Sequence, residues 1–268
     1  MRHSLKILIV GCGNMGKQLL DKWSEIYDIS VIETNTAKKK QLIDKKIRVL
    51  ENKNINQQKF DYIVLSVKPK DFESSLKNFS SYISHKQKII SIMAGLNIKY
   101  IKKIISVNVK VIRVMPNLYS GLGHGISGIF SDAVVKKEEI GKIMAVLGQN
   151  LWLQKESDLD FVTAFFGGAP AYFFLFLNIL SKILKKKKIS SSLENTLILK
   201  LLYGTHEYLR KNKGDFEFLI SKVASKDGTT EEALNYLNNK NQFFNLINKA
   251  IDMATKKSKK LRNKFNEL

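Results

Sequence analysis

The chain has a single cysteine, Cys12, in 268 residues. One thiol excludes an internal disulfide and any multi-cysteine metal site, and it fits a reducing compartment. Histidine is scarce too: His3, His85, His124 and His206 lie far apart, without metal-ligand spacing. No metal site and no Ser–His–Asp order is therefore expected. Acid is in short supply, with 24 Asp and Glu against 45 Lys and Arg, a formal charge of +21. Such an excess raises nucleic acid or an anionic membrane as a partner. The lysines, however, run from Lys6 to Lys264 with no nucleic-acid-binding motif among them, and only Lys185–Lys188 and Lys256–Lys260 form dense runs. A lysine-rich solvated surface is the favoured reading, with nucleic acid unlikely as a partner.

Long apolar runs are also missing. Leu5–Val10 is too brief for a secretory signal. Phe161–Ser181 carries no charge, but Gly167, Gly168 and Pro170 should interrupt it. Pro170 to Leu184 leaves 15 residues, short of the ~20 that span a bilayer. A buried or subunit-interface helix is expected there, no membrane, and a cytoplasmic location.

What is present is ordinary for a soluble globular protein: 44% apolar and 26% charged residues, enough chain for one large domain or two. The organising stretch is Leu5–Gly16, in which an apolar run meets Gly11, Gly13 and Gly16 and a helical pattern follows. Strand, glycine turn and helix start, in that order, make a dinucleotide-binding unit. Gly11 would make the tight turn, Gly13 would let the backbone approach a pyrophosphate, and Gly16 would let the helix pack against the strand. Asn14 and Met15 open the helix whose N–H groups favour an anion. A second strand, Ile29–Ile32, ends at Glu33, which lies 22 residues beyond Gly11. That is the distance at which a carboxylate binds the adenosine ribose.

Further strands are predicted at Ile47–Leu50, Tyr62–Val67, Lys88–Ile92, Val109–Met115 and Asn150–Leu153, and the glycine-rich Gly121–Phe130 is expected to enter another. Helices are predicted at Met15–Ile26, Ala37–Asp44, Asp71–Tyr82, Asn97–Ile105 and Val135–Leu147. The alternation implies a doubly wound, mainly parallel α/β sheet. Its main strands end in small, polar or turn-forming residues: Glu33; Ser66, Val67, Lys68 and Pro69; Ala94 and Gly95; Asn117. In an open parallel sheet such ends converge on the ligand crevice, where Lys68 is placed to meet a phosphate, a ribose or a carboxylate. Beyond Glu156–Asp160 the strand signal stops. The domains are read as 1–156, dinucleotide-binding, and 157–268, all helical, with only the lysine-rich tail expected to fray.

The ordered motifs resemble pyrroline-5-carboxylate reductase over most of the chain. They are GCGNMG at Gly11–Gly16, SVKP at Ser66–Pro69, MAG at Met93–Gly95, RVMPN at Arg113–Asn117, ESDLDFVTAFFGGAPAYFF at Glu156–Phe174 and VASKDGTTEEAL at Val223–Leu234. The resemblance implies a Rossmann domain and a helical dimerisation domain, with the active site where the cofactor domain faces the helical domain of the dimer. It also implies a homodimer or higher homo-oligomer that reduces the cyclic imine 1-pyrroline-5-carboxylate to L-proline with NADPH or NADH.

Imine reduction needs a hydride donor, a protonated or hydrogen-bonded ring nitrogen and a carboxylate pocket. Ser225, Gly228, Thr229 and Thr230 sit at a helix start whose N–H groups and hydroxyls suit a carboxylate. By resemblance, Thr230 hydrogen-bonds the imine nitrogen and helps to deliver its proton. Thr229-x-x-Glu232 also fits a helix capping box. The family's Ser-Pro-Gly-Gly-Thr-Thr stands here as Ser225-Lys226-Asp227-Gly228-Thr229-Thr230, so a positive φ at Asp227 would carry a conformational cost. Glu33 favours NADH, whereas Thr34, Asn35 and Lys38–Lys40 can accommodate NADPH, to which the family tilts the balance. The altered loop leaves open a divergent relative acting on another imine or carbonyl, or a non-catalytic nucleotide-binding protein. A hydroxyacid dehydrogenase using Lys182 or Lys200 lacks the accompanying motif.

Overall fold

Each short apolar run becomes a strand, and the strands line up in one sheet. A computed structural model describes residues 5–51, 59–212 and 215–266. The strands are β1 (Lys6–Val10), β2 (Asp28–Ile32), β3 (Arg48–Val49), β4 (Tyr62–Leu65), β5 (Lys88–Ser91), β6 (Lys110–Met115), β7 (Gly125–Ser131) and β8 (Gly148–Trp152). Their order is β3-β2-β1-β4-β5-β6-β7-β8. Every pairing is parallel except β6 with β7. That pair is joined by the short loop 116–124, and a parallel return would need a crossover of a dozen residues or more.

Alternate residues of each strand enter opposite cores. Ile7 and Ile9 face one, with Leu19, Leu20 and Trp23 of α1 (Asn14–Trp23), Leu42 of α2 (Thr36–Asp44) and Ile140, Ile143 and Met144 of the helix that joins β7 to β8. Trp23 is fully buried, and its indole Nε1–H donates to the Ile143 carbonyl at 3.0 Å. Leu8 and Val10 face the other core, with Phe72 of α3 (Phe72–Leu76) and Ile98 and Ile101 of α4 (Ile98–Ile105). The connecting helix is α5 (Lys137–Ala145).

The helix expected over Asp71–Tyr82 is broken into a 3₁₀ turn at Pro69–Asp71, α3, and a second 3₁₀ turn at Ser80–Tyr82. The Ser74 and Ser75 hydroxyls donate back to the Asp71 and Phe72 carbonyls, and such local bonds compete with a longer helix.

Gly167, Gly168 and Pro170 do not interrupt the helical run, contrary to expectation. It continues from α6 (Asp158–Val162) through a π turn at Thr163–Gly167 into α7 (Ala169–Lys186). The π turn absorbs the clash of the proline ring. Pro170 has no N–H for the Phe166 carbonyl one turn back, and Asn117 Nδ2–H donates to that carbonyl instead, at 3.2 Å. The combined helix, Asp158–Lys186, is long and apolar enough to cross a membrane by length and composition.

The chain forms two compact units, residues 1–168 with 253–268, and residues 169–252. The seam therefore lies beyond the point where the strand signal stops. The segment after Glu156 is helical but packs on the sheet, with Val162 filling the space over Gly128. The second unit holds α7, α8 (Ser191–Lys211), α9 (Phe216–Ser221), α10 (Thr229–Asn238) and the first part of α11 (Gln242–Asn266). Helices α7 and α8 are tied by a hydrogen bond from the Ser181 hydroxyl to Glu194. Much of the apolar surface of this unit is exposed, including Phe173, Phe174 and Phe176 on α7 and Leu197 and Leu201 on α8.

The lysine-rich tail, expected to fray, is helical in the described residues. Helix α11 continues to Asn266. Lys256, Lys257, Lys259 and Lys260 face outward, while Ser258 and Arg262 reach Asp160 and Phe265 packs beside the sheet core.

Candidate active site

The sheet order reverses between β1 and β4, and ligands of open α/β sheets bind at the carboxyl ends of strands at such a switch point. A cleft of about 440 Å³ opens there. It is lined by Gly11, Cys12 and Gly13 after β1, Glu33 and Thr34 after β2, and Ser66, Val67 and Lys68 after β4. Lys38, Asp71, Ser74, Ser75, Lys77 and Asn78 complete the wall.

Gly11 turns the chain at φ +86°, and a Cβ there would stand 2.7 Å from Val67 Cγ1. A Cβ on Gly16 would stand 2.5 Å from the Gly11 carbonyl oxygen, so α1 packs on the turn only because that side chain is absent. The Ser66 hydroxyl donates to the Val10 and Gly11 carbonyls. It holds the turn's acceptors inward, while the Gly11 N–H donates to the Ile32 carbonyl at 2.8 Å. Gly13 is the N-cap of α1, with no side-chain cap and nothing within 4 Å of an added Cβ. An open N-terminus of this kind fits a pyrophosphate, so Asn14, Met15 and Gly16 offer uncapped N–H groups beside a turn built for close approach. The residues present thus fit a dinucleotide.

Glu33 is held at both carboxylate oxygens, Oε2 accepting from the Cys12 N–H and Oε1 from the Asn35 N–H, each at 2.9 Å. Asn35 caps α2, its Oδ1 accepting from the Lys38 N–H at 3.0 Å. Burial, then the Glu33 and Asp21 carboxylates, push the Cys12 thiol up to about 11. The thiolate is the reactive form, so iodoacetamide at pH 8 should alkylate Cys12 in the folded protein far more slowly than in urea. Equal rates, read by mass spectrometry, would contradict the burial argument.

Other predicted cofactor residues lie outside this cleft wall. Asn14 lines a neighbouring cleft of about 250 Å³ with Lys17 and Lys45. Gly95 has φ +81° and faces Leu261, Arg262 and Phe265 of α11. Asn117 is buried with both amide ends engaged: its Oδ1 accepts from the Ile126 N–H at 3.2 Å and its Nδ2 serves Phe166. Pro69 opens the 3₁₀ turn under the cleft. Sequence reasoning missed Asp71, Ser74, Ser75, Lys77 and Asn78; the signal was the polar run directly after Ser66–Pro69.

The second predicted site lies in the helical unit. Ser225 and Gly228 close a turn, the Gly228 N–H donating to the Ser225 carbonyl at 3.1 Å, and a Cβ on Gly228 would stand 2.6 Å from Ser225 Oγ. Asp227 adopts φ +58°, the left-handed conformation whose cost was foreseen for a non-glycine residue. Its side chain is exposed and its N–H donates to Glu231 Oε2 at 2.8 Å. The expected Thr229–Glu232 capping box does not form. Gly228 is the N-cap, Thr229 the first helical residue, and Glu231 rather than Glu232 reaches back. With glycine at the cap, the first N–H groups of α10 receive no side-chain cap, and Thr229 and half-buried Thr230 stand beside them. Glycine has no Cβ to strain in a left-handed turn. Asp227→Gly should therefore leave stability equal or raise it by up to about 1 kcal/mol, and Asp227→Ala should lower it by about 1 kcal/mol. Urea midpoints at fixed protein concentration check the pair.

Comparison with known proteins agrees with this architecture. Residues 156–261 match the model for pyrroline-5-carboxylate reductase dimerisation, and residues 6–95 that for NADP oxidoreductase, coenzyme F420-dependent. The pyrroline-5-carboxylate reductase of Pseudomonas aeruginosa is 30% identical over 210 residues, covering 77% of each chain. That of Pasteurella multocida is 26% identical over 97% of this chain and 98% of its own. The solved structure of the Coxiella burnetii enzyme superposes with a TM-score of 0.83 at 25% identity, covering 97% of this chain and 99% of the other. The Plasmodium falciparum enzyme, solved with NADP bound, gives 0.81 at 27% over the same shares. A nucleotide cradle at the switch point, an uncapped threonine-bearing helix start and kinship along nearly the whole chain agree: the protein belongs to the pyrroline-5-carboxylate reductase family.

Proposed function

We propose that this chain reduces 1-pyrroline-5-carboxylate to L-proline, with the switch-point cleft holding NAD(P)H and the Ser225–Thr230 turn holding the imine. The observation that carries the residue roles is the helix start at Gly228–Thr230. It is uncapped, kept close to Ser225 by a glycine that admits no Cβ, and flanked by two hydroxyls.

The bound nicotinamide supplies the hydride. The chain supplies position and polarity. N–H groups at the start of α10, with the Ser225 and Thr229 hydroxyls, hold the substrate carboxylate, an anion at a helix N-terminus. The Thr230 hydroxyl donates to the lone pair of the neutral imine nitrogen, polarising the C=N bond toward hydride and helping to deliver the proton that this nitrogen takes up as the hydride adds to carbon. In the first unit Gly11, Gly13, Asn14, Met15 and Gly16 hold the pyrophosphate, and Glu33, Thr34 and Asn35 flank the adenosine. Ser66, Val67, Lys68 and Pro69 form the opposite wall, while Ala94, Gly95 and Asn117 shape the strand ends nearer the nicotinamide.

By role rather than by compact unit, a division at 156/157 separates the cofactor part from the dimerisation and substrate part, which the dimerisation match beginning at residue 156 supports, even though residues 157–168 belong to the first compact unit. The protein works as a homodimer or higher homo-oligomer in the cytoplasm, with neither nucleic acid nor membrane as partner. The exposed Phe173, Phe174 and Phe176 lie within the dimerisation match, which supports a second copy as their cover. The test is oxidation of NAD(P)H on addition of pyrroline-5-carboxylate. Cofactor binding without turnover across pH 6–9 would overturn the reading.

A further inference from the structure

Glu33 lines the wall of the cleft, and both of its carboxylate oxygens are bonded to backbone N–H groups, those of Cys12 and Asn35, at 2.9 Å. Two consequences follow. The side chain cannot swing aside without giving up both bonds and leaving two N–H groups without partners. Those same N–H groups are also the donors that a phosphate seated on this rim would need.

A third donor is spent as well, because the Lys38 N–H in the first turn of α2 donates to Asn35 Oδ1 at 3.0 Å. The rim after β2 thus presents an anchored carboxylate where a 2′-phosphate requires free donors. It suits a diol, since hydroxyls can donate to a carboxylate that already accepts from the backbone. Cations do face the cleft: Lys38, Lys68 and Lys77. All three are exposed and carry their charge on flexible stems, so they attract the pyrophosphate common to both dinucleotides as readily as the extra phosphate of one.

We propose that Glu33 is the specificity residue of this chain and that it selects NADH over NADPH by excluding the 2′-phosphate. The proposal rests on the reading of the switch-point cleft as the dinucleotide site. The test is equilibrium binding of NADH and NADPH to the purified full-length chain by titration calorimetry, without substrate, for wild type, Glu33→Gln and Glu33→Ser. The wild type should bind NADH at least about tenfold more tightly than NADPH. Both variants should lose that preference, with the ratio of dissociation constants moving by about 100-fold in Glu33→Ser, where charge and bulk both go. Glu33→Gln keeps one acceptor oxygen and so controls for loss of the local fold. Equal binding, or tighter NADPH binding, by the wild type overturns the proposal and leaves the cleft assignment standing. Binding of neither dinucleotide overturns both. An unchanged ratio in two folded variants removes the role from Glu33.

Discussion

Thr230→Ala should lower kcat for pyrroline-5-carboxylate reduction by about 100-fold, with KM changed by less than about fivefold. As the imine takes up hydride, its nitrogen gains electron density, so a donor aimed at that atom is worth more in the transition state than in the bound substrate. Loss of one such donor costs roughly 10²–10³ in rate. In the proposed site the carboxylate is held by the α10 N–H groups and Ser225, which the substitution leaves in place, so binding should fall little. The fold should tolerate the change, because Thr230 is the second residue of α10 and alanine is a better helix former than threonine. Thr230→Ser should recover most of the rate, since it returns the hydroxyl without the methyl. A kcat within twofold of wild type in Thr230→Ala would remove the residue from the proton path.

The sheet could be read in the sequence because buried parallel strands are apolar on both faces. Ile7–Val10 and Tyr62–Leu65 are wholly buried and show no alternation. The cradle was legible for a related reason: a strand ending in Gly-x-Gly-x-x-Gly leaves few other conformations, and Gly11 and Gly16 each stand where a Cβ would collide. What the residues concealed were contacts between distant segments. Nothing near Asn117 announces that its amide serves the carbonyl freed by Pro170. The run Lys256–Lys260 reads as solvated, and four of its five members are, but Ser258 and then Arg262 share the opposite face of the helix. The broken helix after Pro69 was hidden because its competitors are side-chain bonds of Ser74 and Ser75 that no periodicity records. At the second site the residues were legible but the register was not. The Thr229-x-x-Glu232 pattern points to Thr229 as the cap, and only the backbone shows that Gly228 takes that place.

The hidden docking of α11 carries the largest expected effect on stability. Asp160 is 4% exposed; its Oδ1 accepts from the Ser258 hydroxyl at 2.8 Å and its Oδ2 lies 3.2 Å from Arg262 Nη2. Behind it, Arg113 on β6 is also 4% exposed and pairs with Glu156 at 3.1 Å, and Glu156 accepts from the Ile98 N–H at 2.8 Å. Burial lowers the Arg113 pKa, opposed by Glu156 and Asp160. Two cations and two carboxylates therefore balance in a place with little water. Removing one partner strands the others, and a broken buried pair costs about 3–5 kcal/mol. Asp160→Leu should cost that much, and amide exchange should rise in residues 253–266 and near Ile98. Asp160→Leu combined with Arg262→Met removes opposite charges together and should recover more than half of the loss, because an apolar replacement of a buried pair is often neutral. Urea unfolding at one fixed protein concentration measures both, since assembly ties stability to concentration. A single variant costing under about 1 kcal/mol would show that α11 is held by Phe265 and its apolar neighbours alone, with the charges merely tolerated.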